Sequence, residues 1–199
     1  MKIITCLLFD DEANSLQILS VYASKISSLS IQKSFTDAQI GLEYALKNPP
    51  DLIITDLDMP YVSGLSLWEK LHHTSWFIFV SGFPELFPKT SGEKVIDVLH
   101  KPFSQKRFEE AIVKAQRMIS EDKKKQKIFT QYQMLTPAER TIILKIGELK
   151  ENKEIAEEIH NSVKTIDRHR DNIRKKLAFA RTPELLLFAV DVVQYLDEL

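Results

Sequence analysis

The first hundred residues alternate between short, β-branched apolar runs and segments with helical spacing. This alternation narrows the possible folds more than any other feature. The runs fall at residues 3–9, 29–35, 52–55, 76–80 and 95–99. Between them, residues 15–26 place Leu16, Leu19, Ala23 and Ile26 on one face. Residues 38–47 do the same with Leu42, Ala45 and Leu46 behind a cap at Thr36 or Asp37, and residues 64–72 align Leu65, Trp68 and Leu71. Strands alternating with helices predict βαβ units and a parallel sheet. The first, third and fourth runs, ITCLLF, LIIT and WFIFV, are almost continuously apolar, as strands covered by helices on both faces must be. A further helix is expected after Pro102, striped by Phe108, Ile112, Ala115 and Ile119.

That stripe stops at EDKKKQK, residues 121–127, which reads as a solvated helix end or a linker. The expected organisation is a first domain over residues 1–120, a linker over 121–133 and a second domain over 134–199. Beyond the boundary every segment reads as helix. Thr136-Pro137-Ala138-Glu139 is a capping box with proline at the first helical position. Asn152 is expected to cap a short second helix and Ser162 a third, VKTIDRHRDNIRKKL. Thr182-Pro183 opens the last, leucine- and valine-rich helix, expected over residues 183–196.

Composition sets limits on function. With 27 basic and 28 acidic residues the net charge is −1, which excludes a uniformly basic protein but not a local basic patch. The single cysteine, Cys6, lies in an apolar run and is expected to be a buried, inert thiol. Lys2 and Asp10 bracket too short an apolar stretch for a signal peptide. No run approaches the roughly 18 apolar residues that span a bilayer, so the expectation is a cytoplasmic protein with no membrane partner. The histidines form no zinc-like cluster: His72 and His73 are adjacent, and His100, His160 and His169 lie in different elements.

In an open parallel sheet, ligands bind at the carboxyl ends of the strands. At those ends stand Asp10, Asp11 and Glu12, then Asp56 and Asp58, then Ser81, then Lys101-Pro102. Clustered carboxylates repel one another unless a cation neutralises them, and oxygen-only ligands suit a hard ion such as Mg²⁺. A lysine and a hydroxyl beside them suit a phosphoryl group that one carboxylate could attack. Any one of these aspartates alone would be an ordinary turn residue; four matching strand ends are not explained that way.

On the acidic pair Asp10-Asp11, the D-x-D-M-P around Asp56, Gly64, Ser81 and Lys101-Pro102, residues 1–120 resemble the receiver domain of bacterial two-component response regulators. The resemblance implies a flavodoxin-like, doubly wound five-stranded parallel sheet. It implies Asp56 as acceptor of phosphate from a sensor histidine kinase, and Mg²⁺ held by the carboxylates of Asp11 and Asp56. Asp10 would act mainly through a metal-bound water and Asp58 through its backbone carbonyl. Ser81 and Lys101 would sense the phosphoryl oxygens. Two departures stand out. The position three before the lysine, usually tyrosine or phenylalanine, is Val98. The fourth helix must come from FPELFPKTSG, with Pro84, Pro88 and Gly92. Proline inside a helix costs about 3 kcal/mol, so that helix is expected to be short, displaced or absent.

Residues 164–176 carry six basic and two acidic side chains, a net +4 (6 − 2). Val163, Ile166, Ile173 and Leu177 are expected to pack inward, with Lys164, Asp167, Arg168, Asp171 and Lys175 outside. A helix of this size fits a major groove, and the short helix before it supplies the geometry of a helix-turn-helix. Residues 135–179, through L-T-P-x-E-R, N-K-E-I-A, T-[VI]-x-x-H, N-I and K-K-L, resemble the LuxR/NarL-type DNA-binding domain. That resemblance implies a small all-α helix-turn-helix domain on double-stranded DNA. Lys153, Thr165, His169, Asn172 and Lys176 would face the phosphate backbone. Asp167, Arg168 and Asp171 would face base edges, and Lys164, on the outer face of the same helix, would be a further DNA-binding residue. Its last helix would carry a homodimer contact.

The function expected is that of a non-enzymatic, phosphorylation-regulated transcription regulator. One alternative is a DNA-binding regulator whose receiver does not depend on phosphorylation, motivated by Val98 and the proline-rich segment. A haloacid-dehalogenase-type phosphatase would also use Asp56, Asp58, Ser81 and Lys101 in that order. It would need a further acidic strand end after the lysine, where the chain instead reads FSQKRFEEAI.

Overall fold

The strand runs and helix stripes assemble as their periodicities require. The structure is a computed structural model that describes residues 3–83 and 93–195. The chain divides into two compact units, Met1–Ser120 and Glu121–Leu199. The expectation about Pro84, Pro88 and Gly92 lies outside the described residues, as does the last residue of the expected final helix.

In the first unit, strands β1 (Ile4–Phe9), β2 (Leu29–Phe35), β3 (Leu52–Asp56), β4 (Trp76–Ser81) and β5 (Val95–His100) form one sheet in the order β2-β1-β3-β4-β5. Every pairing is parallel. Helices α1 (Ala13–Ser24), α2 (Ala38–Lys47), α3 (Gly64–Leu71) and the start of α4 (Gln105–Gln133) supply the cover. The period of two along each strand divides the core into two layers. Cys6, Leu8, Ile54, Ile78 and Val80 face α1 and α4. Leu7, Phe9, Ile53, Phe77 and Phe79 face α2 and α3. Each such side chain, fully withdrawn from water, contributes about 1.5–3 kcal/mol. The strand order reverses between β1 and β3, which places the crevice for a ligand at their carboxyl ends.

Element boundaries differ from expectation by a residue or two. Helix α1 starts at Ala13 rather than at residue 15 and ends at Ser24. The cap of α2 is Asp37, whose carboxylate accepts from the N–H groups of Gln39 and Ile40. Residues 121–133, expected as a linker, are instead the continuation of α4 to Gln133. The lysine run hides the reason: Ile128 is buried in the second unit's core, with Tyr132 packed against it.

The second unit packs α5 (Pro137–Gly147), α6 (Asn152–Glu158), α7 (Val163–Lys176) and α8 (Thr182–Gln194) around Ile142, Ile143, Ile146, Ile155, Ile166, Ile173, Leu185, Phe188 and Val192. Helix α5 carries the expected capping box of Thr136 and Glu139. Helix α6 is capped by Glu151, so Asn152 is its first helical residue and not its cap. Val163, expected inside, is exposed, while Ile166, Ile173 and Leu177 are buried. Val163 sits in the first turn of α7 between exposed Ser162 and Lys164.

Three helices of this unit end on a left-handed residue, Leu149, His160 and Ala178. In each case the following N–H bonds the carbonyl five residues back: Lys150 to Lys145, Asn161 to Ala156 and Phe179 to Arg174. This closure satisfies carbonyls that the helix end leaves free, and it usually employs glycine. Glycine is instead used at position 147, where a Cβ would overlap the carbonyl oxygen of Ala189; α5 and α8 approach too closely there for any side chain.

Candidate functional site

The sheet topology brings four of the expected groups to one point. Asp10 follows the last residue of β1, Asp56 ends β3, and Lys101 follows β5. Asp10 is fully buried and Asp56 nearly so, while Asp11 is exposed at the rim. Carboxylate oxygens of Asp10, Asp11 and Asp56 lie within 4.8 Å of one another. Lys101 Nζ donates to Asp10 Oδ2 at 2.8 Å and also to Asp56 Oδ2. Backbone groups hold the other oxygens: the Glu12 N–H donates to Asp10 Oδ1 at 3.0 Å, and the Asp58 N–H to Asp56 Oδ1 at 3.1 Å. Both carboxylates are thereby held in single orientations before any ligand arrives.

The charges are unevenly supported. Burial pushes the Asp10 carboxyl above its ordinary range, and the neighbouring Asp56 adds to that rise. Hydrogen bonds from Lys101 and from the Glu12 N–H pull it back without cancelling the shift. Burial acts against the Lys101 ammonium, but its hydrogen bonds to Asp10 and Asp56 outweigh burial and leave its pKa raised. Three carboxylates facing one ammonium remain short of positive charge. An oxygen-only donor set of this kind suits a hard divalent cation.

Asp58 is exposed, and its side chain lies outside the carboxylate cluster. Ser81 is buried at the end of β4. Its carbonyl accepts from the Lys101 N–H at 2.8 Å and its Oγ from the Phe83 N–H at 2.9 Å. Val98 is half-buried in β5 against the α2–α3 core layer. Beside it sits a clamp that sequence patterns did not disclose. Arg107 of α4 makes two hydrogen bonds to Asp97, at 2.9 and 2.8 Å. Arginine and carboxylate ten residues apart carry no helical or strand periodicity. A cleft of about 450 Å³ also opens beside Lys101, walled by Ile18, Leu19, Tyr22 and Phe103.

In the second unit, α7 presents Lys164, Asp167, Arg168, Asp171, Asn172 and Lys175 to solvent. Ser162 caps it by accepting from the Thr165 N–H at 3.1 Å. Thr165 and His169 are half-buried, and Lys153 is exposed on α6. Four of the expected DNA-facing residues have side-chain partners within the chain: Thr165 Oγ1 shares a hydrogen bond with Ser162 Oγ at 2.8 Å, Asp171 accepts from Arg174 at 3.4 Å, and Asp167 and Lys176 are bonded to other helices. Asp167 accepts from the side-chain amide of Asn152. Lys176 donates to Glu139 Oε2 at 2.6 Å. Glu139 was legible only as a capping residue; its second role depends on α7 returning past the start of α5.

That ion pair has a measurable consequence. Burial raises the Glu139 carboxyl, but hydrogen bonds from Lys176 and Thr136 outweigh it and hold the group below its ordinary range. A depressed carboxylate contributes stability above its unfolded pKa, near 4.3 for Glu, and loses it as pH falls through the folded value. Lys176→Ala is expected to destabilise the second unit by about 1–2 kcal/mol at pH 7, because it leaves a nearly buried carboxylate short of one donor. In urea titrations the deficit should shrink between about pH 5 and pH 3; a deficit that is constant with pH rules out the ion pair as its source.

Comparison with known proteins agrees with this geometry. The chain is 29% identical over 113 residues to the transcriptional regulatory protein BtsR of Escherichia coli strain K12, covering 56% of this chain and 47% of that protein. It therefore spans about half the length of such relatives. It is 27% identical over 199 residues to the transcriptional regulatory protein TdiR of Thauera aromatica, covering 94% of this chain and 85% of that one. In fold it is similar to RcsB from Salmonella enterica serovar Typhimurium bound to promoter rprA, with a TM-score of 0.52, 19% identity and coverage of 94% and 98%. Residues 133–189 match the family of bacterial regulatory proteins of the luxR type. Residues 6–113 match the response regulator receiver domain, and since that match takes in more than half of the chain, the protein belongs to the response regulator family.

Proposed function

We propose that this protein is the response regulator of a two-component system, phosphorylated on Asp56 and acting on transcription through its luxR-type helices. The observation that carries the proposal is the meeting of Asp10, Asp11, Asp56 and Lys101 at the strand ends of a chain that also carries a helix-turn-helix. Asp56 supplies the nucleophilic oxygen. Its Oδ1 is held by the Asp58 N–H, and its charge is balanced by Lys101. A sensor histidine kinase is the proposed donor. The residues fit Mg²⁺: Asp11 and Asp56 would hold it directly, Asp10 through water and Asp58 through its carbonyl. The ion would neutralise the transferring phosphoryl oxygens. Ser81 and Lys101 would then bind those oxygens, and α7 would enter the major groove with Asp167, Arg168 and Asp171 at base edges. Lys153, Thr165, His169 and Asn172 would sit near the phosphates, with Lys164 as a further DNA-binding residue. Exposed Leu186, Leu187 and Val190 on α8 are the proposed contact of a homodimer on DNA. Among the described residues, no helix is long and apolar enough to cross a membrane.

The metal proposal predicts a thermal response. An Asp10 carboxyl whose pKa is raised carries a cost that appears as pH rises through its folded value, so at neutral pH its charge opposes folding. Mg²⁺ is expected to raise the melting temperature of the wild type. Asp10→Asn should be more stable than wild type in chelator and respond less to Mg²⁺. Equal Mg²⁺ responses in wild type, Asp10→Asn and Asp11→Asn count against this site.

A second reading rests on Val98. A small aliphatic side chain, already packed against the core, offers no ring to swing between two positions. On that reading the DNA-binding state does not depend on phosphate. Measuring affinity for selected duplex DNA with and without acetyl phosphate and Mg²⁺ separates the two: the main proposal requires a gain, the second none.

A further inference from the structure

The side-chain amide of Asn152 occupies a position that neither caps its helix nor serves the core. Its Nδ2 donates to Asp167 Oδ1, and its Oδ1 accepts from Arg170 at 2.8 Å. These partners fix the amide's orientation, because a carboxylate can only accept and a guanidinium can only donate. Among the common side chains of this length, only an amide performs both tasks at once. Aspartate would repel Asp167, and lysine or serine could not bridge in this way.

Asp167 and Arg170 lie three apart on α7, a spacing at which opposite charges pair directly. Asn152 stands between them instead. Arg170 is half-buried, whereas Asp167 is exposed, and both line one cleft with Asn152. One oxygen of Asp167 is taken, and among the described residues its Oδ2 has no hydrogen-bond partner. The tether removes rotamer freedom that a lone surface aspartate would otherwise lose only on binding.

We infer that Asn152 is a positioning residue that sets the base preference of α7, by holding Asp167 with one free acceptor oxygen and keeping Arg170 from neutralising it. This rests on the proposal that α7 enters the major groove. An acceptor-only group on that face is repelled by phosphates and is rewarded only where a base edge offers a donor, cytosine N4 being the natural partner. A loose Asp167, or one paired to Arg170, meets that donor less often. Asn152 therefore acts on sequence discrimination and leaves the general attraction to DNA unchanged.

The test uses the full chain with acetyl phosphate and Mg²⁺, selected against a library of random-sequence duplexes and read by sequencing. Wild type is expected to prefer cytosine at one position of each half-site. Asn152→Ala should lower that preference about tenfold, the discrimination of roughly one good base contact. Asp167→Ala, which removes only an exposed side chain, should remove the preference at the same position. The double variant should match Asp167→Ala alone, since Asn152 acts only through Asp167. Affinity for unselected duplex and its salt dependence should be unchanged in Asn152→Ala, which keeps the wild-type charge, and a merely structural role would not predict this; the two variants lacking Asp167 lose a charge that phosphates repel and should bind unselected duplex more tightly. The inference is overturned by an unchanged base profile in Asp167→Ala, by Asn152→Ala affecting a different position, or by additive effects. Retention of no sequence at all by wild type overturns the DNA-binding proposal itself.

Discussion

Asp56→Asn is expected to lose phosphoryl incorporation completely while remaining folded. The amide is nearly isosteric with the carboxylate, so its oxygen can still accept the Asp58 N–H at Oδ1. What disappears is the nucleophile: an amide oxygen does not displace a phosphoryl group under these conditions. Removing one of three clustered charges also relieves Asp10, whose pKa the Asp56 charge helps to raise. The amide has only one acceptor oxygen, so the Lys101 hydrogen bond at Oδ2 is lost; this offsets the relief of Asp10, and the variant should melt close to wild type. Incubated with acetyl phosphate and Mg²⁺, wild type should incorporate phosphate to a level resolved by phosphate-affinity electrophoresis, and the variant should incorporate none. The ratio of DNA affinities with and without donor should exceed one in wild type and equal one in the variant. Incorporation retained in Asp56→Asn would assign the phosphoacceptor elsewhere. A wild-type ratio of one would favour the phosphate-independent reading that Val98 motivates.

Gly64→Ala is the second large effect, and here the fold and the chemistry fail together. A Cβ at position 64 would overlap the backbone oxygen of Asp56 and lie 3.1 Å from its carbonyl carbon. The obstacle is backbone, which cannot rotate aside as a side chain can. The Gly64 N–H also donates to the Leu57 carbonyl at 3.0 Å, so the start of α3 is stitched to the residue after Asp56. Relief requires α3 to shift or the end of β3 to bend. Overpacking of this kind costs about 1–3 kcal/mol. A displacement of even 1 Å at a reacting group can cost about 100-fold in rate. The expected result is a lower urea midpoint and a phosphorylation rate reduced by tenfold or more. Tight approach rather than conformational freedom would explain this glycine, and an alanine variant with wild-type rate and midpoint would show that β3 yields without consequence.

Much of this was legible because it is written in local chemistry. Periods of two and of about 3.6 lie along the chain itself, so the sequence alone places five strands and their covering helices. Caps formed by Asp37, Thr136 and Ser162 depend on residues within three positions of one another. The carboxylate cluster was legible for a different reason: a parallel sheet aligns all its carboxyl ends on one edge, so residues far apart in sequence inherit proximity from topology. Asp10 and Lys101, which are 91 residues apart, meet at 2.8 Å for that reason alone.

Other features failed to show because their cause is not local. The lysine-rich stretch 121–133 was expected as a linker because its charges mask one useful apolar position, Ile128, whose value exists only once α5 and its neighbours provide a core. Val163 satisfied the inward spacing of α7 but lies beyond the reach of that core. The Arg107–Asp97 clamp, the Lys176–Glu139 pair and the Asn152 bridge all join side chains from different elements, at separations that no periodicity encodes.

By itself, then, the amino-acid order determined which elements form and which groups gather at the sheet's edge, since backbone periodicity and parallel topology are short-range rules with few solutions. Tertiary structure alone decided how those groups are held: which oxygen of Asp56 faces Lys101, which lysine of α7 turns back to Glu139, and which aspartate is tethered by Asn152. Hydrogen bonds between side chains depend on distances of tenths of an ångström and on the orientation of two elements at once, and that information arises only when the chain has packed.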